Sequence, residues 1–258
     1  MIGIFDSGVG GLSVFREIRK LLPEEKYIYY SDNAFCPYGE KTQEFITERA
    51  RWITGLMVEK GADIIVVACN TATAAAIKTL REEHSDNSGS GNLRFIGMEP
   101  AIKPAAMTTA TGVIGVLATS GTLQSEKYLR HKEKYASNVS ILEHVGEGFV
   151  ELVEKGIISG PEAEMVVRLS IEPLIEAGAD TIVLGCTHYP FLAQTIKKIC
   201  REICPDRNVT IIDPAPAVAR HLQEVMSEEG LIRNDGYALD LLSSGDDDIL
   251  KATAANLL

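Results

Sequence analysis

GADIIVVAC at 61–69 and GADTIVLGC at 178–186 decide how this chain is read. The two segments agree at Gly61/Gly178, Ala62/Ala179, Asp63/Asp180, Ile65/Ile182, Val66/Val183 and Cys69/Cys186. Each reads as a helix stop, a short β-branched run and a cysteine, and a repeat of that kind marks a duplicated structural unit. IIVVA at 64–68 and TIVLG at 181–185 are apolar without alternation, as strands covered on both faces of a parallel sheet are. A weaker pair precedes them, GIFDSG at 3–8 and GVLATSG at 115–121. Cys69 follows Gly3 by 66 residues and Cys186 follows Gly115 by 71.

Outward from the repeat, apolar runs at 2–5, 27–30, 63–68, 94–97, 113–118, 139–142, 181–184 and 209–212 read as strands. Longer stretches of helical period, such as 41–60 and 160–177, separate them. The alternation predicts an α/β fold of two pseudo-symmetric lobes, each a mostly parallel sheet flanked by helices. The first lobe is expected to hold 1–97 with 208–258, VTIIDPAPAVARHL at 209–222 returning to it, and the second 98–207. Open parallel sheets bind ligands beyond the carboxyl ends of their strands, so an active site in a cleft between the lobes is expected. SDNSGSGN at 85–92 reads as a solvated connection.

Composition narrows the function classes. The 258 residues carry 25 Lys+Arg against 36 Asp+Glu, a formal net charge of −11, which disfavours general binding to nucleic acid. MIGIFDSG enters a strand-like run at once, with no basic leader and no 18-residue apolar stretch, so a cytoplasmic chain with no membrane association is expected. Five cysteines at 36, 69, 186, 200 and 204, without Cys-x-x-Cys spacing, suit neither a disulfide framework nor a zinc site. No metal is expected, and Cys36, Cys200 and Cys204 read as packing residues.

The repeated cysteines are different. Inverting an α-carbon needs a base on one face and an acid on the other, and two matched thiols could supply them. ACNTATAAA at 68–76 and GCTHYPFLAQ at 185–194 place each cysteine before a probable helix start, where the dipole favours thiolate and backbone N–H groups await a carboxylate. Asn70, Thr71 and Thr187 add donors beside them. Asp6, ending the first strand, either serves one thiol or, with Ser7, caps the following helix. His188, two residues after Cys186, either polarises that thiol or is structural.

GIFDSGVGGLSV at 3–14, CPYG at 36–39, VVACNTATA at 66–74 and GCTHYP at 185–190 together resemble the glutamate racemases of the aspartate/glutamate racemase superfamily, in the same order through both lobes. The resemblance implies a cofactor-independent isomerase interconverting L- and D-glutamate for peptidoglycan. It implies Cys69 and Cys186 as acid/base thiols, Asp6 supporting the first and His188 the second. Glu154, in FVELVEKG at 149–156, corresponds to a further acid, with Glu147 and Glu151 as rival positions. Substrate contacts implied are Asp6, Ser7, Tyr38, Gly39, Asn70, Thr71, Thr187 and His188. A homodimer and a cytoplasmic location are implied too.

Three features depart from the family or leave a question. The chain starts at its first strand, so activation by a cell-wall precursor, which some members bind through an N-terminal extension, is not expected. DPAPAVA at 213–219 has prolines where the family more often has Asp-Ser. The motifs offer no Arg or Lys for the substrate's distal carboxylate.

Two other classes compete, besides a racemase of aspartate or another acid. Gly8, Gly10 and Gly11 after a strand, with Asp32 ending the next, imitate a dinucleotide-binding fingerprint. Ser13 stands at the third glycine's place, however, and the thiols are left without a purpose. A two-lobed binding protein would need no thiols.

Overall fold

In the computed structural model, which describes residues 1–85 and 93–258, the repeated Gly-Ala-Asp segments do the same job twice. Gly61 and Gly178 take φ of +90° and +99°, the left-handed backbone that glycine adopts at no steric cost. The N–H groups of Gly61 and Ala62 bond back to Val58 and Met57, and those of Gly178 and Ala179 to Ile175 and Leu174. Both are Schellman closures of the preceding helix. Asp63 N–H then donates to the Met1 carbonyl and Asp180 N–H to that of Val113, which starts each following strand in register beside its neighbour.

The chain divides into two units, Met1–Met98 with Ala215–Leu258, and Glu99–Pro214. The first is built from β1 (Ile2–Asp6), α1 (Leu12–Leu21), β2 (Lys26–Ser31), α2 (Gln43–Glu59), β3 (Ile64–Val67), α3 (Asn70–Glu83) and β4 (Arg94–Gly97). The second follows as α4 (Ile102–Thr108), β5 (Val113–Ala118), α5 (Ser120–Leu123), α6 (Glu126–Tyr135), β6 (Ser140–Val145), α7 (Phe149–Glu154), α8 (Pro161–Glu176), β7 (Thr181–Gly185), α9 (Ala193–Ile203) and β8 (Thr210–Ile212). The chain then completes the first unit with α10 (Ala215–Glu228), β9 (Ala238–Ser243) and α11 (Asp247–Leu257).

Both sheets are parallel throughout. Their orders are β4-β3-β1-β2-β9 and β6-β5-β7-β8. Matching β1 with β5, β2 with β6, β3 with β7 and β4 with β8 makes the two orders the same, β9 being an addition at the β2 edge of the first. Every residue of β1 and β3 is buried, and each wholly buried Ile or Val there contributes about 1.5–3 kcal/mol. Cys69, Tyr38 and Ala72 belong to the buried cluster formed with Ile65, Val67 and Phe95. Among the described residues no helix is long and apolar enough to cross a membrane.

The structure departs from the sequence reading at the carboxyl-terminal part. The run at 209–212, expected in the first lobe, pairs as β8 with β7 in the second sheet, Thr181 opposite Thr210. The crossing back falls after Pro214, and Pro216 sits in the first turn of α10, where a missing N–H costs no bond. β9 and α11 were not expected at all. β9 is an edge strand, its residues exposed or half-buried, so it lacks the continuous apolar signature of the interior strands. All but Ser85 of the SDNSGSGN segment lies outside the described residues.

Candidate active site

The carboxyl edge of the first sheet gathers three chain segments. The ladder runs past the strand ends, with Ala68 N–H donating to Phe5 O at 2.8 Å and Asp32 N–H to Asp6 O at 2.9 Å. Asp6 and Cys69 therefore come from adjacent strands. Cys69 is the N-cap of α3, its sulfur accepting from Ala72 N–H at 3.4 Å. A sulfur held there as thiolate gains from the helix dipole, typically ~0.3–1 kcal/mol and up to ~2 when partly buried.

Asp6 is wholly buried. Its Oδ1 accepts from Ser7 N–H at 2.5 Å and Ser7 Oγ at 3.1 Å, and Ser7 Oγ stands 3.9 Å from Cys69 Sγ. A hydroxyl has one proton and two lone pairs, so Ser7, donating to Asp6, can accept from the thiol. Neither Asp6 nor Ser7 caps a helix, because α1 starts at Leu12 with Gly11 before it and no side-chain cap. The glycine-rich turn serves close packing. A Cβ on Gly11 would stand 2.8 Å from Asp6 Cβ and 2.9 Å from Tyr29 Oη, and Tyr29 donates to the Gly8 carbonyl at 2.8 Å.

The second sheet presents the other repeated cysteine. Cys186 lies one residue beyond β7, with His188 Nδ1 3.7 Å from its sulfur. His188 Nε2 is 2.6 Å from Glu154 Oε1 at the end of α7. An ionised carboxylate only accepts, so Nε2 carries a proton and Nδ1 faces the sulfur, as acceptor from a thiol or, when protonated, as donor to a thiolate. Glu147 and Glu151 are exposed, and Glu154 is the glutamate that reaches the histidine. The Tyr189 ring packs edge-on against Phe149 and its hydroxyl donates to the Gly146 carbonyl at 3.3 Å. Burial, and then the neighbouring Cys186, hold the Tyr189 phenol proton on well above the usual tyrosine range.

A regular helix does not follow Cys186 as expected. Pro190 has no N–H for the Cys186 carbonyl four residues back, so Tyr189 N–H takes it at 3.1 Å. The chain makes a 3₁₀ turn, Tyr189–Leu192, before α9 begins at Ala193.

Each unit thus carries a thiol linked through one group to a carboxylate, Cys69–Ser7–Asp6 in one and Cys186–His188–Glu154 in the other. Thr71 and Thr187 are buried beside these thiols in sequence. Asn70 Nδ2, on the first residue of α3, is a buried donor with no partner among the described residues. Tyr38 is buried on the 3₁₀ turn Tyr38–Glu40, with half-buried Gly39 next to it. Cys200 behaves as packing, its thiol pushed up to about 11 by burial in α9.

Asp32, the would-be ribose ligand of a dinucleotide site, is fully buried and already engaged. Arg49 donates to it from Nε at 2.9 Å and Nη2 at 2.7 Å, and the Tyr38 hydroxyl donates to Oδ2. The sequence reading missed this cluster. The position of Asp32 at a strand's carboxyl end was a usable signal, since the same argument picked out Asp6, but nothing in the spacing joins it to Arg49.

Two parallel sheets of the same order, each with a thiol and a carboxylate relay at its carboxyl edge, define an α/β fold equipped for acid–base chemistry. The sequence pattern of the Asp/Glu/Hydantoin racemase family matches residues 2–222, and the chain belongs to that family. It is 48% identical to the glutamate racemase of Pseudomonas syringae pv. tomato over 93% of this chain and 83% of that protein. Its fold matches the crystal structure of a glutamate racemase isoform from Bacillus anthracis with a TM-score of 0.84 and 32% identity, covering 98% and 92% of the two chains. The Escherichia coli glutamate racemase, solved with L-glutamate and the activator UDP-MurNAc-ala, aligns with a TM-score of 0.78 and 31% identity, covering 94% and 97%.

Proposed function

We propose that this chain interconverts L- and D-glutamate by a two-base mechanism in which Cys69 and Cys186 exchange roles. The observation that carries the reading is the repetition itself, a buried thiol backed by a carboxylate relay after equivalent strands of two equivalent sheets. Racemisation is the reaction that uses two such groups, because a proton taken and returned on one face of the α-carbon changes nothing. In one direction a thiolate takes the α-proton while the other thiol delivers its own to the opposite face. The enzyme then holds the complementary protonation state, ready for the reverse reaction.

The relays have distinct parts in this account. Ser7 and Asp6 hold the Cys69 proton within a hydrogen-bonded chain, and the α3 N-terminus favours its thiolate. His188, oriented by Glu154, exchanges the proton of Cys186. The α-carboxylate and the charge that develops at Cα are met by neutral donors, among them Asn70 Nδ2, Thr71, Thr187, Ser7 and the Tyr38–Gly39 turn. The unpartnered Asn70 donor supports this, since a buried N–H without a partner costs about 1–3 kcal/mol and a carboxylate would satisfy it. No cofactor is needed by the chemistry. Glutamate as substrate rests on the named relatives, and D-glutamate supply to peptidoglycan follows from that identity.

A chiral assay on the separate enantiomers of glutamate and aspartate tests the reading. Glutamate enantiomers are expected to interconvert to an equal mixture, with aspartate much slower. Faster aspartate racemisation, or none of glutamate, contradicts it.

A further inference from the structure

Resting on that reading, we propose that Arg49 is a positioning residue for the Cys69 half of the site. Through the buried carboxylate of Asp32 it holds the Tyr38 hydroxyl, and with it the turn carrying Tyr38 and Gly39, beside the thiol.

The geometry is a chain of constraints. The Arg49 guanidinium lies 4.5 Å from the Phe35 ring centroid and 4.9 Å from that of Trp52, so two aromatic rings flank it where it meets Asp32. Its fork then engages both Asp32 oxygens, which sets the carboxylate's rotation. The Tyr38 hydroxyl donates to Oδ2, the oxygen that also receives Arg49 Nε. Tyr38 in turn shares the buried cluster of Cys69 and Ala72. Burial, and then the bond to Asp32, keep the phenol proton on far above the ordinary tyrosine range, the Cys69 charge adding to the effect. The Tyr38 hydroxyl accordingly donates to Asp32. Lysine, a point charge on a flexible stem, cannot replace the stacked fork.

Among the described residues Arg49 is the cation paired with Asp32, and the Tyr38 hydroxyl is its other side-chain partner. Without that fork the carboxylate loses the contact that sets its rotation, and the Tyr38 hydroxyl loses its fixed acceptor.

The test is a double-mutant cycle of Arg49→Met and Tyr38→Phe, read as kcat/KM for glutamate. Arg49→Met is expected to lower kcat/KM roughly 10–100-fold, as ångström-scale misplacement does. In the Tyr38→Phe background the same change is expected to cost less than about threefold more. Equal losses in both backgrounds overturn the proposal. If Arg49→Met does not fold, Arg49→Lys and the pair Asp32→Asn with Arg49→Met carry the same comparison, neither leaving a bare buried carboxylate.

Alkylation of Cys69 by iodoacetamide, followed on its peptide by mass spectrometry, separates this proposal from the functional reading. Loosening Tyr38 in Arg49→Met is expected to speed it several-fold, and an unchanged rate overturns the proposal. An unaltered protein that does not racemise glutamate defeats the functional reading, while the alkylation rates still judge the network.

Discussion

Glu154 Oε1 stands 2.6 Å from His188 Nε2, and the opposite ring nitrogen of that histidine faces Cys186 Sγ at 3.7 Å. The carboxylate fixes which nitrogen is left for the thiol, and that gives Glu154→Gln a specific signature. The amide can donate to Nε2 and so admit the wrong tautomer. A fall of about 10²-fold in kcat/KM is expected, within the range of general acid–base contributions. The two enantiomers have equal free energy, so kcat/KM must fall equally in both directions, and any asymmetry must be confined to kcat and KM separately. Steady-state assays from each enantiomer check this. Unchanged kinetics contradict the relay.

Cys69→Ala and Cys186→Ala are each expected to lower racemisation by at least about 10²–10⁴-fold while preserving the fold, since in the proposed mechanism either removes one half of a two-sided transfer. The double variant is expected to be little worse than either single one, because the two groups act as a unit. Circular dichroism and a chiral assay suffice. Substantial turnover in either single variant contradicts the assignment.

Gly11→Ala tests the reading of the glycine-rich turn. The added methyl would meet Asp6 Cβ and Tyr29 Oη inside 3.0 Å, and neither is the free end of a flexible chain. A destabilisation of about 1–3 kcal/mol is expected, with activity falling as Asp6 is displaced. Denaturant unfolding measures the first. A neutral change indicates that the turn has room and that its glycines serve another purpose.

Asp180 gives a pH-dependent test. Its carboxylate accepts from Thr109 Oγ1, Ala110 N–H, Thr111 N–H and Thr181 Oγ1 at 2.5 to 3.1 Å. Burial acts to raise its pKa, and these hydrogen bonds together outweigh burial and lower it. A depressed folded-state pKa means that the stabilisation is complete above the unfolded value, about 3.9. It is lost as pH falls through the folded value. Asp180→Asn is therefore expected to cost stability at pH 7, and the gap to the unaltered protein to narrow as pH falls below the unfolded value of about 3.9. Unfolding curves across that range check it, and a gap independent of pH contradicts it.

What the sequence revealed follows from where the signals are local. Strands β1, β3, β5 and β7 were legible because burial on both faces leaves continuous apolar runs, and the thiols because the chain repeats them. β9 was not, since an edge strand need be apolar on neither face throughout. The helix expected after Cys186 failed on one residue, Pro190, whose missing N–H forces a 3₁₀ turn. Glu154 needed the structure to separate it from Glu147 and Glu151, because their spacing does not say which one reaches His188. Arg49 and Asp32, 17 residues apart on a helix and at a strand end, meet only in three dimensions.

The most direct test of the two-thiol account is the distribution of deuterium early in the reaction in deuterated water. On that account the thiol that completes inversion has exchanged with solvent before the substrate arrives, and it is not the group that took the substrate's proton. Starting from L-glutamate, newly formed D-glutamate is expected to carry deuterium while recovered L-glutamate stays largely unlabelled. The pattern is expected to reverse from D-glutamate. Recovered substrate that gains deuterium as fast as product forms, in both directions, contradicts two separate bases.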